Sequence, residues 1–211
     1  MKRSLQHPQT LSQRERLCIL LSAQYALGKR EKALALMQKA IIHQHIPRAF
    51  FAELFIHLSL LIGFPNMLDG LEKLAQVKAQ ARRVSSHPLS PRQLQSRGLK
   101  LLRQVYGRQT NKLLGSLATI HADLPRMIVQ DVYGKIIARR GLSISERELV
   151  NVTVLTIQGL HRQQYSHIRG ALRVGVPPAV LRTLFRILKS NFRVRIDGAE
   201  RNLEQLIASK N

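Results

Sequence analysis

The stretch LSISERELVNVTVLTIQGLHRQQYSHIRGALRVGVPP, residues 142–178, decides the fold class. Ser143 and Glu146 stand at the Ser-x-x-Glu spacing at which two side chains cap the free amides of a helix's first turn. A helix is therefore predicted to start just after Ser143. Gly159 can take the left-handed conformation that ends it, and Pro178 falls where a further helix begins. Between them, Val150 to Ile157 is rich in β-branched residues, and propensity alone would make it a strand. Length and caps decide otherwise. The segment 145–158 is too long and too uniformly apolar for an ordinary edge strand, so it reads as a helix buried on most of its surface. Elsewhere apolar residues recur at spacings of three and four, the period of an amphipathic helix.

Working outward, a shift of 131 residues lays 11–47 on 142–178 without a gap. The identities are Leu11/Leu142, Ser12/Ser143, Glu15/Glu146, Arg16/Arg147, Gly28/Gly159, Ala40/Ala171 and Pro47/Pro178. These are mostly caps, terminators and helix starts, which points to a duplicated helical hairpin. The differences are informative too: Glu148 faces Leu17 and His167 faces Leu36, so chemistry is expected in the second copy. Residues 80–98, basic and polar with Ser85-Ser86 and prolines at 88 and 91, read as a linker. The expected organisation is a degenerate first helical repeat over 1–79, that linker, and a second repeat over 99–211 carrying the site. The fold class is all-α, a helical bundle of two repeated units sharing one core.

Composition bounds the rest. With 211 residues, 45% hydrophobic and 22% charged, the chain has the make-up of a folded globular protein and is too short for a large multidomain enzyme. The 34 Lys+Arg against 12 Asp+Glu give a net charge of +22, a field that attracts anions of any kind. Cys18 is the only cysteine, which excludes an intrachain disulfide, a four-cysteine zinc site and a Cys-x-x-Cys pair, and suits a reducing cytoplasm. The basic N-terminus does not read as a secretory signal, because Arg14-Glu15-Arg16 directly precedes the apolar stretch. The longest apolar run, Leu54 to Phe64, contains His57 and Ser59 and falls short of the roughly 20 residues that span a bilayer. A soluble chain without a membrane partner is expected.

Two side chains could carry chemistry. Glu148 sits about one turn inside a helix that looks buried, where a carboxylate is costly unless paired or protonated. On the next helix Gln163 and His167 are four apart and share a face. If the two helices pack antiparallel, Glu148 can orient an imidazole that gives or takes a proton. On spacing alone the plainer alternative stays open, with Glu148 capping or pairing with an arginine and His167 a satisfied core histidine.

The run from Gly141 to Leu184 adds to this reading. Leu142-Ser143, Glu146-Arg147-Glu148-Leu149, Gly159, Gln163, His167, Ala171-Leu172 and Gly175-Val176 together resemble the carboxymuconolactone decarboxylase family, related to the alkylhydroperoxidase-D family. Val105-Tyr106-Gly107 and Val132-Tyr133-Gly134 look like the family's lead-in helices, so the resemblance covers roughly 98–190. His57 to Leu71 looks like the closing helix of the same unit in the first half. The resemblance implies a helical fold that forms trimers or hexamers. It also separates two chemistries: the peroxidase branch has cysteines seven and four residues before the histidine, where this chain has Leu160 and Gln163. The lactone-decarboxylase branch needs neither cysteine nor cofactor. It implies that His167 donates a proton to a small acidic lactone, that Glu148 tunes and orients it, and that Gln163 hydrogen-bonds the lactone. Arg147 or Arg169 is a candidate for holding a substrate carboxylate through its planar fork. The second copy lacks the family's aromatic-Gly-Phe-Pro turn, whereas the first keeps Gly63-Phe64-Pro65. A composite pocket using Glu53 and His57 from the first copy would reconcile the two.

The rival reading is a non-catalytic basic helical protein that binds nucleic acid or another polyanion. Residues 144–173 can be drawn as a helix-turn-helix with Arg162, Gln163, Gln164, Arg169 and Arg173 as readers, and residues 80–140 carry 12 Lys+Arg against 2 Asp+Glu. Against it, the first helix is about twice the usual length for that motif, and 5% aromatic content offers little base stacking. No metal site is expected: His43 and His45 are two apart and point to different faces of a helix.

Overall fold

The computed structural model describes residues 10–77 and 88–209, so residues 80–87 of the expected linker lie outside the described residues. All regular structure among the described residues is helical. In chain order the α-helices are α1 (Gln13–Ala26), α2 (Arg30–His43), α3 (Arg48–Gln76), α4 (Pro91–Tyr106), α5 (Thr110–Ile120), α6 (Ile144–Ile157), α7 (His161–Arg173), α8 (Pro178–Phe192) and α9 (Asp197–Ala208). A single turn, Leu124–Arg126, leads into a π-helix over Met127–Ile137.

The chain forms two compact units, Met1–Leu36 with Ser143–Asn211, and Met37–Leu142. This division corrects the expected boundaries at 79 and 98. The reason is long-range packing: α1 lies against α6 and joins the C-terminal helices rather than its neighbours in sequence. The linker reading is also corrected at 91–98, which form the first half of α4. There Ser90 and Gln93 make a reciprocal capping box with Pro91 at the first helical position, so these polar residues start a helix instead of interrupting one.

In the first unit the β-branched run is helical, as its caps require. Ser143 Oγ accepts from the Glu146 amide at 3.1 Å while Glu146 Oε2 accepts from the Ser143 amide at 2.6 Å. The hydroxyls of Thr153 and Thr156 donate to the carbonyls of Leu149 and Val152, which lets polar side chains sit inside the core. Ser12 and Glu15 repeat the same box on α1. Arg14 donates to Glu146 at 2.7 Å, tying the starts of the two helices together. Residue for residue, the bounds of α1 and α6 are related by the 131-residue shift. Gly28 and Gly159, with φ of 71° and 69°, turn the chain into the helices that follow. The apolar core is filled by Ile19 and Ala23 of α1, Leu149 and Val152 of α6, Ile168 of α7, Leu184 and Phe185 of α8 and Leu203 of α9.

Cys18 is fully buried in α1, and loss of hydration pushes its thiol well above the ordinary range. The folded state therefore holds that proton more tightly than the unfolded chain. The associated stability is fully present below roughly pH 8.5, the unfolded value, and is lost as pH rises beyond it. We expect the stability gap between the wild type and Cys18→Ala to narrow between pH 8 and pH 10 in urea titrations. A thiol reagent should modify Cys18 only as fast as the native chain opens.

In the second unit, α3 is interrupted at Gly63, whose φ of 82° and ψ of 166° are not helical, with Pro65 just beyond. By length and composition alone α3 is long and apolar enough to cross a membrane. The break leaves two segments, each shorter than the roughly 30 Å of a hydrocarbon core at 1.5 Å per residue. The tightest packing in this unit is between α4 and the π-helix. A Cβ at Gly98 would collide with the carbonyl of Val129, and one at Gly134 would collide with that of Leu94. The two helices thus touch backbone to backbone, with Gln130 donating to Gln95 at 3.1 Å beside the contact.

Candidate functional site

Helices α6 and α7 are joined by the tight turn at Gly159, which brings a face of one against a face of the other. Glu148 lies in the second turn of α6 and is 0% exposed. His167, near the middle of α7, keeps 18% of its side chain exposed. Its Nδ1 lies 2.8 Å from Glu148 Oε2. Antiparallel packing therefore brings together the two residues that the sequence singled out.

Asn151, one turn after Glu148 on the same face of α6, places its amide nitrogen 3.1 Å from the same Nδ1. One ring nitrogen holds either one hydrogen or one lone pair, so it cannot donate to the carboxylate and accept from the amide together. The shorter, charge-assisted contact takes the hydrogen. With its amide turned, Asn151 offers Oδ1 as a second acceptor for it. Either way Nδ1 is committed inward, and Nε2 is the nitrogen left to meet a ligand. Glu148 Oε1 is buried with no hydrogen-bond partner among the described residues. An oxygen in that position costs stability, and its retention calls for a reason. Leu17 occupies the matching place in α1 without that cost.

The other expected site residues fare differently. Gln163 is exposed on the face of α7 that carries His167, and Arg169 is half-buried two residues further on. Arg147 is 1% exposed, so its fork faces the interior and cannot greet a substrate carboxylate from solvent. Glu53 and His57 belong to the second unit. Both oxygens of Glu53 accept from Arg139, at 2.8 and 2.6 Å, which occupies the carboxylate and raises the Arg139 pKa. His57 is 0% exposed. As free binding groups for a small acid, Arg147, Glu53 and His57 are therefore corrected by burial or by pairing.

Two polar residues are not placed at this site by the sequence reading: Asn151, and Gln164, which enters it only as a reader of nucleic acid. Asn151 stands at i+3 from Glu148, a spacing that could have found it. Gln164, not Gln163, is the buried glutamine of α7: it donates to Thr156 Oγ1 at 2.6 Å and accepts from Asn202 at 2.9 Å. Its signal was the apolar stripe it shares with Ile168 and Ala171. A cavity of about 560 Å³ opens in this unit at the far end of α6, lined by Thr156 and Ile157 and by neither Glu148 nor His167.

Comparison with protein families matches residues 127–190 to the Carboxymuconolactone decarboxylase family, from the π-helix through most of α8. No curated protein matches the sequence.

Proposed function

From the premise that residues 127–190 are a carboxymuconolactone decarboxylase family domain, we propose that the chain catalyses cofactor-independent decarboxylation or proton transfer on a small acidic lactone. The observation that carries this reading is the 2.8 Å contact between His167 and a fully buried Glu148. Decarboxylation breaks the bond to the carboxylate carbon, releases carbon dioxide and leaves an electron pair. An unsaturated lactone delocalises that pair onto its own carbonyl oxygen. Carbon is then protonated from His167 Nε2, while Nδ1–H stays bound to Glu148 and the ring keeps its orientation. The neutral ring recovers its proton from water. Gln163, on the same helical face, would hydrogen-bond the lactone, and Arg169 would meet its charge. A positioned acid of this kind is worth about 10²- to 10⁴-fold.

The same reading takes α1–α2 and α6–α7 as two copies of one hairpin, the first having lost its polar pair, and expects a homo-oligomer. The test is carbon dioxide release and solvent-deuterium incorporation with unsaturated γ-lactones bearing a carboxylate. His167→Asn keeps a donor near the Nδ1 position and removes Nε2. We expect it to lower the rate by about 10²-fold or more. Equal rates would overturn the proposal. A second reading, a polyanion-binding protein, is favoured by the net charge of +22. It predicts a steep salt dependence of DNA binding that is indifferent to His167→Asn.

A further inference from the structure

We propose that the cavity of about 560 Å³ at the far end of α6 binds a phosphomonoester dianion attached to an apolar body. The walls have two characters. Leu27, Ile157, Phe192 and Val194 supply apolar surface, while Arg193, Arg195 and Arg201 supply cations against one carboxylate, Asp197. The balance is two positive charges, which a doubly charged phosphate ester neutralises and a single carboxylate does not. The volume suits a small organic molecule.

The arginines are unspent. Arg14, Arg139 and Arg182 each find a carboxylate. The guanidinium groups of Arg193, Arg195 and Arg201 make no hydrogen bond or ion pair among the described residues. Helices α7 and α9 both open onto the cavity, through His161 and through Asp197 and Gly198. Their N-caps, Leu160 and Ile196, have apolar side chains that cap no amide, so first-turn amides at two helix starts add to the positive field.

Backbone detail agrees. Arg193 closes α8 in the left-handed conformation, with φ of 58°, where glycine would be unstrained. Arginine is kept there at a conformational cost. A Cβ at Gly198 would come within 2.8 Å of the His161 ring, so glycine lets that ring lie over the start of α9. The cavity is separate from the pair at Glu148, since Thr156 is eight residues along α6, about 12 Å at 1.5 Å per residue. Its arginines all lie beyond the family match, which ends at residue 190.

The test is calorimetric titration of the full chain at 0.15 M salt with phenyl phosphate, inorganic phosphate and benzoate. Phenyl phosphate is expected to saturate one site, at least tenfold more tightly than either of the others. Arg195→Gln, Arg201→Gln and Arg193→Gly should each weaken it at least tenfold, and Arg193→Gly should melt no lower than the wild type. Arg173→Gln, the same charge change at an exposed position outside the cavity, and His167→Asn should leave affinity unchanged. Several results overturn the proposal: absence of saturation, benzoate or inorganic phosphate binding as tightly as phenyl phosphate, unchanged affinity in Arg193→Gly, or an equal loss in Arg173→Gln.

Discussion

Replacing Glu148 and His167 together by leucine is expected to give a protein more stable than the wild type and without the proposed decarboxylation or proton transfer. The carboxylate is fully buried, one of its oxygens has no hydrogen-bond partner among the described residues, and the imidazole is mostly buried beside it. Exchanging a buried polar pair for apolar residues of similar volume is often neutral or stabilising, by about 1–4 kcal/mol. Under the proposed duplication, Leu17 and Leu36 stand at the corresponding positions of the first hairpin. Removing one partner has the opposite sign. His167→Leu leaves the carboxylate without its donor and is expected to cost about 3–5 kcal/mol. Urea unfolding of the wild type, both single variants and the double variant closes a cycle that isolates the coupling. A double variant less stable than the wild type would mean that the pair holds the hairpin together, and would remove the case that it is kept for function.

The second large effect is expected in the other unit. Gly98→Ala puts a methyl group onto the carbonyl of Val129, and Gly134→Ala onto that of Leu94. The obstacle in both cases is backbone, which cannot step aside as a flexible side chain does. Helix α4 and the π-helix must separate along their whole contact, at about 3 kcal/mol or more. Gly115→Ala is the matched control, because its Cβ meets nothing within 4 Å on an exposed turn of α5. There the better helix propensity of alanine should stabilise by up to about 1 kcal/mol. Thermal melts of the three variants should therefore fall on both sides of the wild type.

The legible parts of the fold were those written in local chemistry. Ser143 with Glu146 fixed the start of α6 because a capping box needs only four consecutive residues, and the same signal on Ser12 fixed α1. The pairing of Glu148 with His167 followed from one short turn between two helices. What needed long-range geometry was missed. Nothing local says that α1 packs on α6 and takes the N-terminal segment into the C-terminal unit. Pro91, inside the stretch that reads as a linker, stands at the first position of α4. Gln163 reads as a site residue because it shares a face with His167, whereas the buried stripe of α7 runs through Gln164, Ile168 and Ala171. The burial of Arg147 was hidden by its charge, since arginine is seldom found inside. A π-helix over Met127–Ile137 has no signature in an 11-residue stretch that satisfies helical periodicity.

The sealed position of Cys18 has a practical corollary. With its one native thiol out of reach, the folded protein behaves toward maleimides as though it had none. A fluorophore or nitroxide attached through Leu160→Cys, at an exposed residue beside the arginine-rich hollow, would report on that neighbourhood without background labelling.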